Sequence, residues 1–98
     1  GTGPAYVMLF IEAMADAAVS LGIKRDDALK IAAATVMGSG KLVLDTKQHP
    51  AVLKDQVCSP SGTTIAGVMA LEEYGLRNAV IKSVIAASDK TKQLANGK

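Results

Sequence analysis

The sequence predicts an all-α domain of about five helices. Apolar residues recur at helical spacing through most of the chain, and no run alternates polar and apolar residues long enough to read as a strand. Glycine or proline also stands at most of the points where a helical run has to stop or start. At 98 residues the chain allows one domain, spanning residues 1–98, and no second. A hydrophobic content of 49% with a net charge of only +2 excludes disorder, which requires low hydrophobicity and high charge.

The first helix runs from Ala5 to Leu21. Its polar residues Glu12, Asp16 and Ser20 are four apart and form one narrow stripe on an otherwise apolar cylinder. Such a helix has to be buried on nearly all sides. A chain this short has too few other elements to surround it, so a second copy is expected to cover the remaining face. Ala13, Ala15, Ala17 and Ala18 would let helices approach closely. Gly22 stops this helix, and Asp26 and Asp27 open the second with an acidic first turn that suits the helix dipole.

The second helix runs from Asp26 to about Asp45 and carries Gly38, Ser39 and Gly40 in its middle. Each glycine there costs about 1 kcal/mol against alanine, so either the helix is kinked or another backbone comes very near, and close approach is favoured. His49 and Pro50 start a short third helix to about Val57, with Pro50 in the first turn where its missing N–H is not needed. Cys58 to Gly62 is a loop. The fourth helix runs from about Thr63 to Tyr74 and ends at Gly75, a left-handed cap position. The fifth runs from about Leu76 to Leu94 with Val80, Ile81, Val84, Ile85 and Ala87 as its apolar set, and Ala95 to Lys98 are expected to fray.

Several function classes are excluded. The longest apolar stretch, Ala5 to Ile11, is followed by Glu12 and Asp16, whereas a spanning helix needs about 20 apolar residues. No basic leader precedes it, so it is no signal peptide. The chain has no arginine cluster and only Tyr6, Phe10 and Tyr74 as aromatics, so nucleic acid is set aside. His49 and Cys58 each stand alone, which leaves no metal site and no internal disulfide. A lone thiol fits a reducing compartment, and the cytoplasm is expected. The chain starts at Gly1 without an initiator methionine, and its first residues read like the middle of a loop, as in a piece of a larger protein.

Chemistry concentrates in Ser59-Pro60-Ser61-Gly62-Thr63-Thr64-Ile65. Pro60 fixes a turn, Gly62 lets backbone approach a ligand, and the helix starting near Thr63 offers unpaired N–H groups and the positive end of its dipole. Several hydroxyls complete an anion site for a carboxylate or phosphate. The plainer alternative is that Ser61 or Thr63 only caps the helix. Glu12 with Asp16 reads as a solvated stripe, Cys58 as a small buried hydrophobe, and His49 as a helix-starting residue.

These residues carry a resemblance. Gly3-Pro4-Ala5-Tyr6, Phe10-Ile11-Glu12-Ala13-Met14-Ala15-Asp16, His49-Pro50, Leu53-Lys54-Asp55, Leu71-Glu72 and above all Ser59 to Ile65 resemble the C-terminal domain of pyrroline-5-carboxylate reductases, over essentially the whole chain. The resemblance implies a domain that dimerises by interleaving apolar helices, as a homodimer or a higher oligomer. It implies an NAD(P)H-dependent oxidoreductase of proline biosynthesis that reduces 1-pyrroline-5-carboxylate to L-proline. NADPH or NADH would be bound mainly by an N-terminal Rossmann domain that this chain does not contain, and the chain alone would be inactive. Carried over by position, Ser59, Gly62, Thr63 and Thr64 hold the substrate carboxylate, and Thr64 is the catalytic residue near the ring nitrogen. Ser61 replaces the family's usual glycine, which implies strain if that residue has positive φ. The alternative function is a ligand-free helical self-association module.

Overall fold

The computed structural model describes residues 1–97. They form five helices and no strand: α1 (Gly3–Ser20), α2 (Arg25–Thr46), α3 (Pro50–Val57), α4 (Thr63–Glu73) and α5 (Leu76–Ala95). The all-α expectation holds, with every boundary within two residues of the predicted one. The chain divides into two compact units whose main bodies are Gly3–Gln56 and Val57–Lys98.

In the first unit α1 packs on α2. Ala15 on α1 meets Ala28 and Ala32 on α2, all three buried, with Ile11, Met14, Ala18 and Val19 packed around them. The α1 members fall at the i, i+3, i+4, i+7, i+8 positions that define one helical stripe. Small residues therefore do bring helices together, here within one chain. The turn after α1 is a Schellman motif: Gly22 has φ 103°, its N–H donates to the Val19 carbonyl at 2.9 Å, and the Ile23 N–H donates to Ala18 at 3.1 Å. Arg25 Nη1 donates to Asp16 Oδ1 at 2.6 Å across this turn. Asp16 is thus a partner in an ion pair as well as part of a solvated stripe. Both side chains are exposed, and such a pair contributes at most about 1 kcal/mol.

The alanine-lined seam uses only one stripe of α1. Met8 and Leu9 are 61% and 66% exposed, and Val7 and Phe10 are exposed as well. Burial on nearly all sides is therefore not reached within one chain. Nor does another backbone approach Gly38 or Gly40, where an added Cβ would meet nothing within 4 Å. α2 runs through them as one α-helix. It ends instead at Lys47, which takes the left-handed cap position with φ 56° and donates its N–H to the Val43 carbonyl at 2.9 Å. Nothing in the sequence marks this lysine for that role, because a cap of this kind favours glycine or asparagine.

His49 has the helix-starting role expected of it. Its Nδ1 accepts the Ala51 N–H at 3.0 Å, satisfying one of the orphan donors at the start of α3. Leu53 is the buried residue of that helix.

In the second unit α4 packs on α5. The predicted left-handed residue between them is Gly75, with φ 79°. Arg77 Nε donates to Glu72 Oε1 at 2.7 Å across the same turn. The apolar set of α5 is about half exposed, from 49% at Val80 to 56% at Ile81. The expected fraying does not extend to Asn96 and Gly97, whose N–H groups donate to the Lys92 and Leu94 carbonyls at 3.1 Å each. Lys98, also expected to fray, lies outside the described residues.

Candidate functional site

The loop leading into α4 lies in the second unit and carries Ser59, Gly62, Thr63 and Thr64. Its geometry begins with a hydrogen bond from the Gly62 N–H to the Ser59 carbonyl at 3.1 Å. Pro60 occupies the second position of this four-residue turn. Ser61 occupies the third with φ 57°. A fixed negative φ followed by a positive one, closed by an i to i+3 hydrogen bond, defines a type II turn. The strain expected at Ser61 is therefore present.

Gly62 also has a structural part in this turn. Its N–H closes it. Its φ of −83° is open to any residue. A Cβ at this position, however, would overlap Ser59 Oγ and lie 3.2 Å from the Ser59 carbonyl oxygen. Gly62 thus leaves the space in which the Ser59 hydroxyl sits. Replacing Gly62 with alanine should drive that hydroxyl out, and because Ser59 is exposed and free to rotate, the loss of stability should be at most about 1 kcal/mol. The loss should shrink in a Ser59→Ala background, where only the carbonyl contact remains, and a double-mutant cycle by chemical denaturation reads this coupling directly. Strict additivity would show that the two residues do not constrain one another.

Gly62 is also the N-cap of α4, and no side chain caps this helix. The capping role weighed for Ser61 or Thr63 is therefore not the one they have. The N–H groups of Thr63, Thr64 and Ile65 have no backbone acceptor among the described residues. They are the orphan donors of the first turn, at the positive end of the helix dipole. Thr64 is half-buried, while Ser59 and Thr63 are exposed. No charged side chain stands between Cys58 and Ile65, so the loop itself offers an anion only N–H groups, hydroxyls and the helix dipole.

Nearby candidates contribute less. Cys58 is a free, half-buried thiol rather than a fully buried one. Lys54 faces Asp55 at 3.5 Å in a weak, partly exposed pair. No group of three or more potential metal ligands exists among the described residues. Among the described residues no helix is long and apolar enough to cross a membrane. Five helices without a strand offer no strand–turn–helix cradle for a dinucleotide pyrophosphate, so the residues described do not fit a nicotinamide cofactor by themselves.

The helices and this loop define a class first: an all-α domain with exposed apolar helix faces and a hydroxyl-rich turn at a helix N-terminus. The family model described as pyrroline-5-carboxylate reductase dimerisation matches residues 1–94, and the chain belongs to that family. A pyrroline-5-carboxylate reductase of Escherichia coli K12 is 56% identical over 95 residues, which are 97% of this chain and 35% of the relative. The chain thus spans about a third of the length of the curated relatives it matches. Among solved structures, the Streptococcus pyogenes 1-pyrroline-5-carboxylate reductase superposes with a TM-score of 0.92 at 44% identity, covering 95% of this chain and 36% of that one. The Plasmodium falciparum pyrroline carboxylate reductase with NADP bound superposes with a TM-score of 0.90 at 39% identity, covering 94% and 35%.

Proposed function

We propose that this chain is the substrate-binding and dimerisation domain of an oxidoreductase that reduces 1-pyrroline-5-carboxylate to L-proline in proline biosynthesis. The observation that carries the reading is the family match over residues 1–94, which includes the whole Ser59 to Thr64 loop. Loop geometry supports it: three unpartnered N–H groups and a half-buried threonine stand at one helix start. In this reading the N–H groups of Thr63, Thr64 and Ile65 bind the substrate carboxylate, with the Ser59 and Thr63 hydroxyls completing the cradle. Gly62 keeps the Ser59 hydroxyl in place.

Reduction of the cyclic imine adds a hydride to the C=N carbon and a proton to its nitrogen. A nicotinamide cofactor would supply that hydride and would be held mainly by an N-terminal Rossmann domain, while the residues of this chain hold and orient the imine. Thr64 is the catalytic residue and orients the ring nitrogen through its hydroxyl. An ordinary threonine hydroxyl is a poor acid, so orientation is its role and the proton comes through water. The exposed apolar faces of α1 and α5 are covered in a homodimer of interleaved helices, which can assemble further, and the enzyme works in the cytoplasm.

Titration of the chain with L-proline, followed by NMR at the backbone amides from Cys58 to Ile65, tests the reading. Saturable shifts confined to this loop are the expected result. A folded, dimeric chain without such shifts would favour a self-association module in which the loop binds nothing.

A further inference from the structure

Ser59-Pro60-Ser61-Gly62 has the residues a type I turn favours, with serine first, proline second and glycine fourth. The structure instead holds Ser61 at φ 57°. A type II turn asks for glycine or asparagine at that position, because a Cβ in the left-handed region crowds the backbone. Asparagine and aspartate relieve that crowding by hydrogen bonding locally, but the exposed Ser61 side chain makes no hydrogen bond among the described residues. Local preference and observed conformation therefore disagree at one residue, with nothing on its side chain to offset the difference. Disagreement of this kind marks positions where backbone strain is tied to function.

Type I and type II turns interconvert by rotating the peptide between the second and third residues. Here that is the Pro60–Ser61 peptide, and the rotation reverses the Ser61 N–H and the Pro60 carbonyl. The face that offers a donor in one state offers an acceptor in the other. We propose that Ser61 is a positioning residue: its backbone conformation sets how much of the loop presents a donor face to a carboxylate, and its hydroxyl is not the group that matters. The proposal rests on the carboxylate-binding reading of this loop. Apparent affinity then scales with the fraction of chains holding the positive φ.

A substitution series in the chain separates backbone from hydroxyl. Ser61→Gly and Ser61→Asn favour the left-handed region, Ser61→Ala keeps the Cβ without the hydroxyl, and Ser61→Val makes positive φ harder still. Ser61 is exposed, so none of these side chains meets a packed neighbour. L-proline affinity by calorimetry is expected to be at least that of the parent for Gly and Asn and unchanged for Ala. For Val it should fall about tenfold, which corresponds to about 1.4 kcal/mol. Microsecond-to-millisecond exchange at the Ser61 and Gly62 amides should be largest in Val and absent in Gly. Equal losses in Gly, Ala and Val would overturn the proposal by showing that the hydroxyl itself binds, and parent-like affinity in Val would overturn it by showing that turn type is irrelevant. If L-proline binds none of the proteins, the carboxylate reading fails and the positioning role falls with it, whereas binding with flat exchange profiles throughout overturns the peptide flip alone.

Discussion

Replacing Leu9 with glutamate is expected to dissociate the proposed homodimer. Leu9 lies on α1, away from the alanine-lined seam with α2, and is 66% exposed in the single chain. Nothing inside the chain needs it, and glutamate is a good helix former, so the substitution acts on the partner contact alone. Each buried leucine contributes about 1.5–3 kcal/mol, and twofold symmetry repeats the loss on the other subunit. An unpaired carboxylate in the same place adds several kcal/mol more. A weakening of at least about a thousandfold follows, since about 4 kcal/mol spans three decades of dissociation constant. Light scattering should report half the parent mass, or unfolding at concentrations where the parent is folded, because an obligate dimer's stability is tied to its association. Unchanged mass and melting temperature would place the interface elsewhere.

The second large effect is expected at Thr64. Its hydroxyl makes no hydrogen bond among the described residues, so Thr64→Ala breaks no hydrogen bond of the fold. A hydrogen bond to a charged group contributes about 1.5–3 kcal/mol, so L-proline affinity should fall about 10- to 100-fold. Thr64→Ser keeps the hydroxyl and should recover most of the loss. Melting temperature and dimer mass should stay at parental values in both. A lowered melting temperature with unchanged affinity would assign Thr64 to structure instead of ligand.

The two effects divide along the line between helix faces and loop, and legibility in the sequence divides there too. Helix boundaries were readable because caps and stops are local: Gly22 and Gly75 both adopt the positive φ that their places require. His49 beside Pro50 gave the start of α3 for the same reason. Lys47 was not readable, since it takes a glycine's conformation while looking like any surface lysine. The Asp16–Arg25 ion pair was equally hidden, because it needs the bend at Gly22 to bring the two side chains to 2.6 Å. Gly38 and Gly40 point to a close backbone approach that is not made within the single chain.

At the loop, residue types alone pointed to Ser59, Gly62, Thr63 and Thr64 as a group, but the division of labour among them came from geometry. Gly62 is expected to let backbone approach a ligand, and only the structure adds that its N–H closes the turn and that its missing side chain leaves room for the Ser59 hydroxyl. The capping alternative for Ser61 and Thr63 looked equally sound in sequence and is absent in space.

By itself the sequence determined the five helices, their order, the turn-forming glycines and the stretch where an anion is expected, all of which follow from interactions between residues a few positions apart. Only the tertiary structure decided which stripe of α1 is buried within the chain, which N–H groups stay unpartnered, and that Ser61 is held in a conformation its neighbours do not favour. Those outcomes depend on groups meeting through space and on the summed constraints of a folded turn, and a pattern read along one dimension does not contain them.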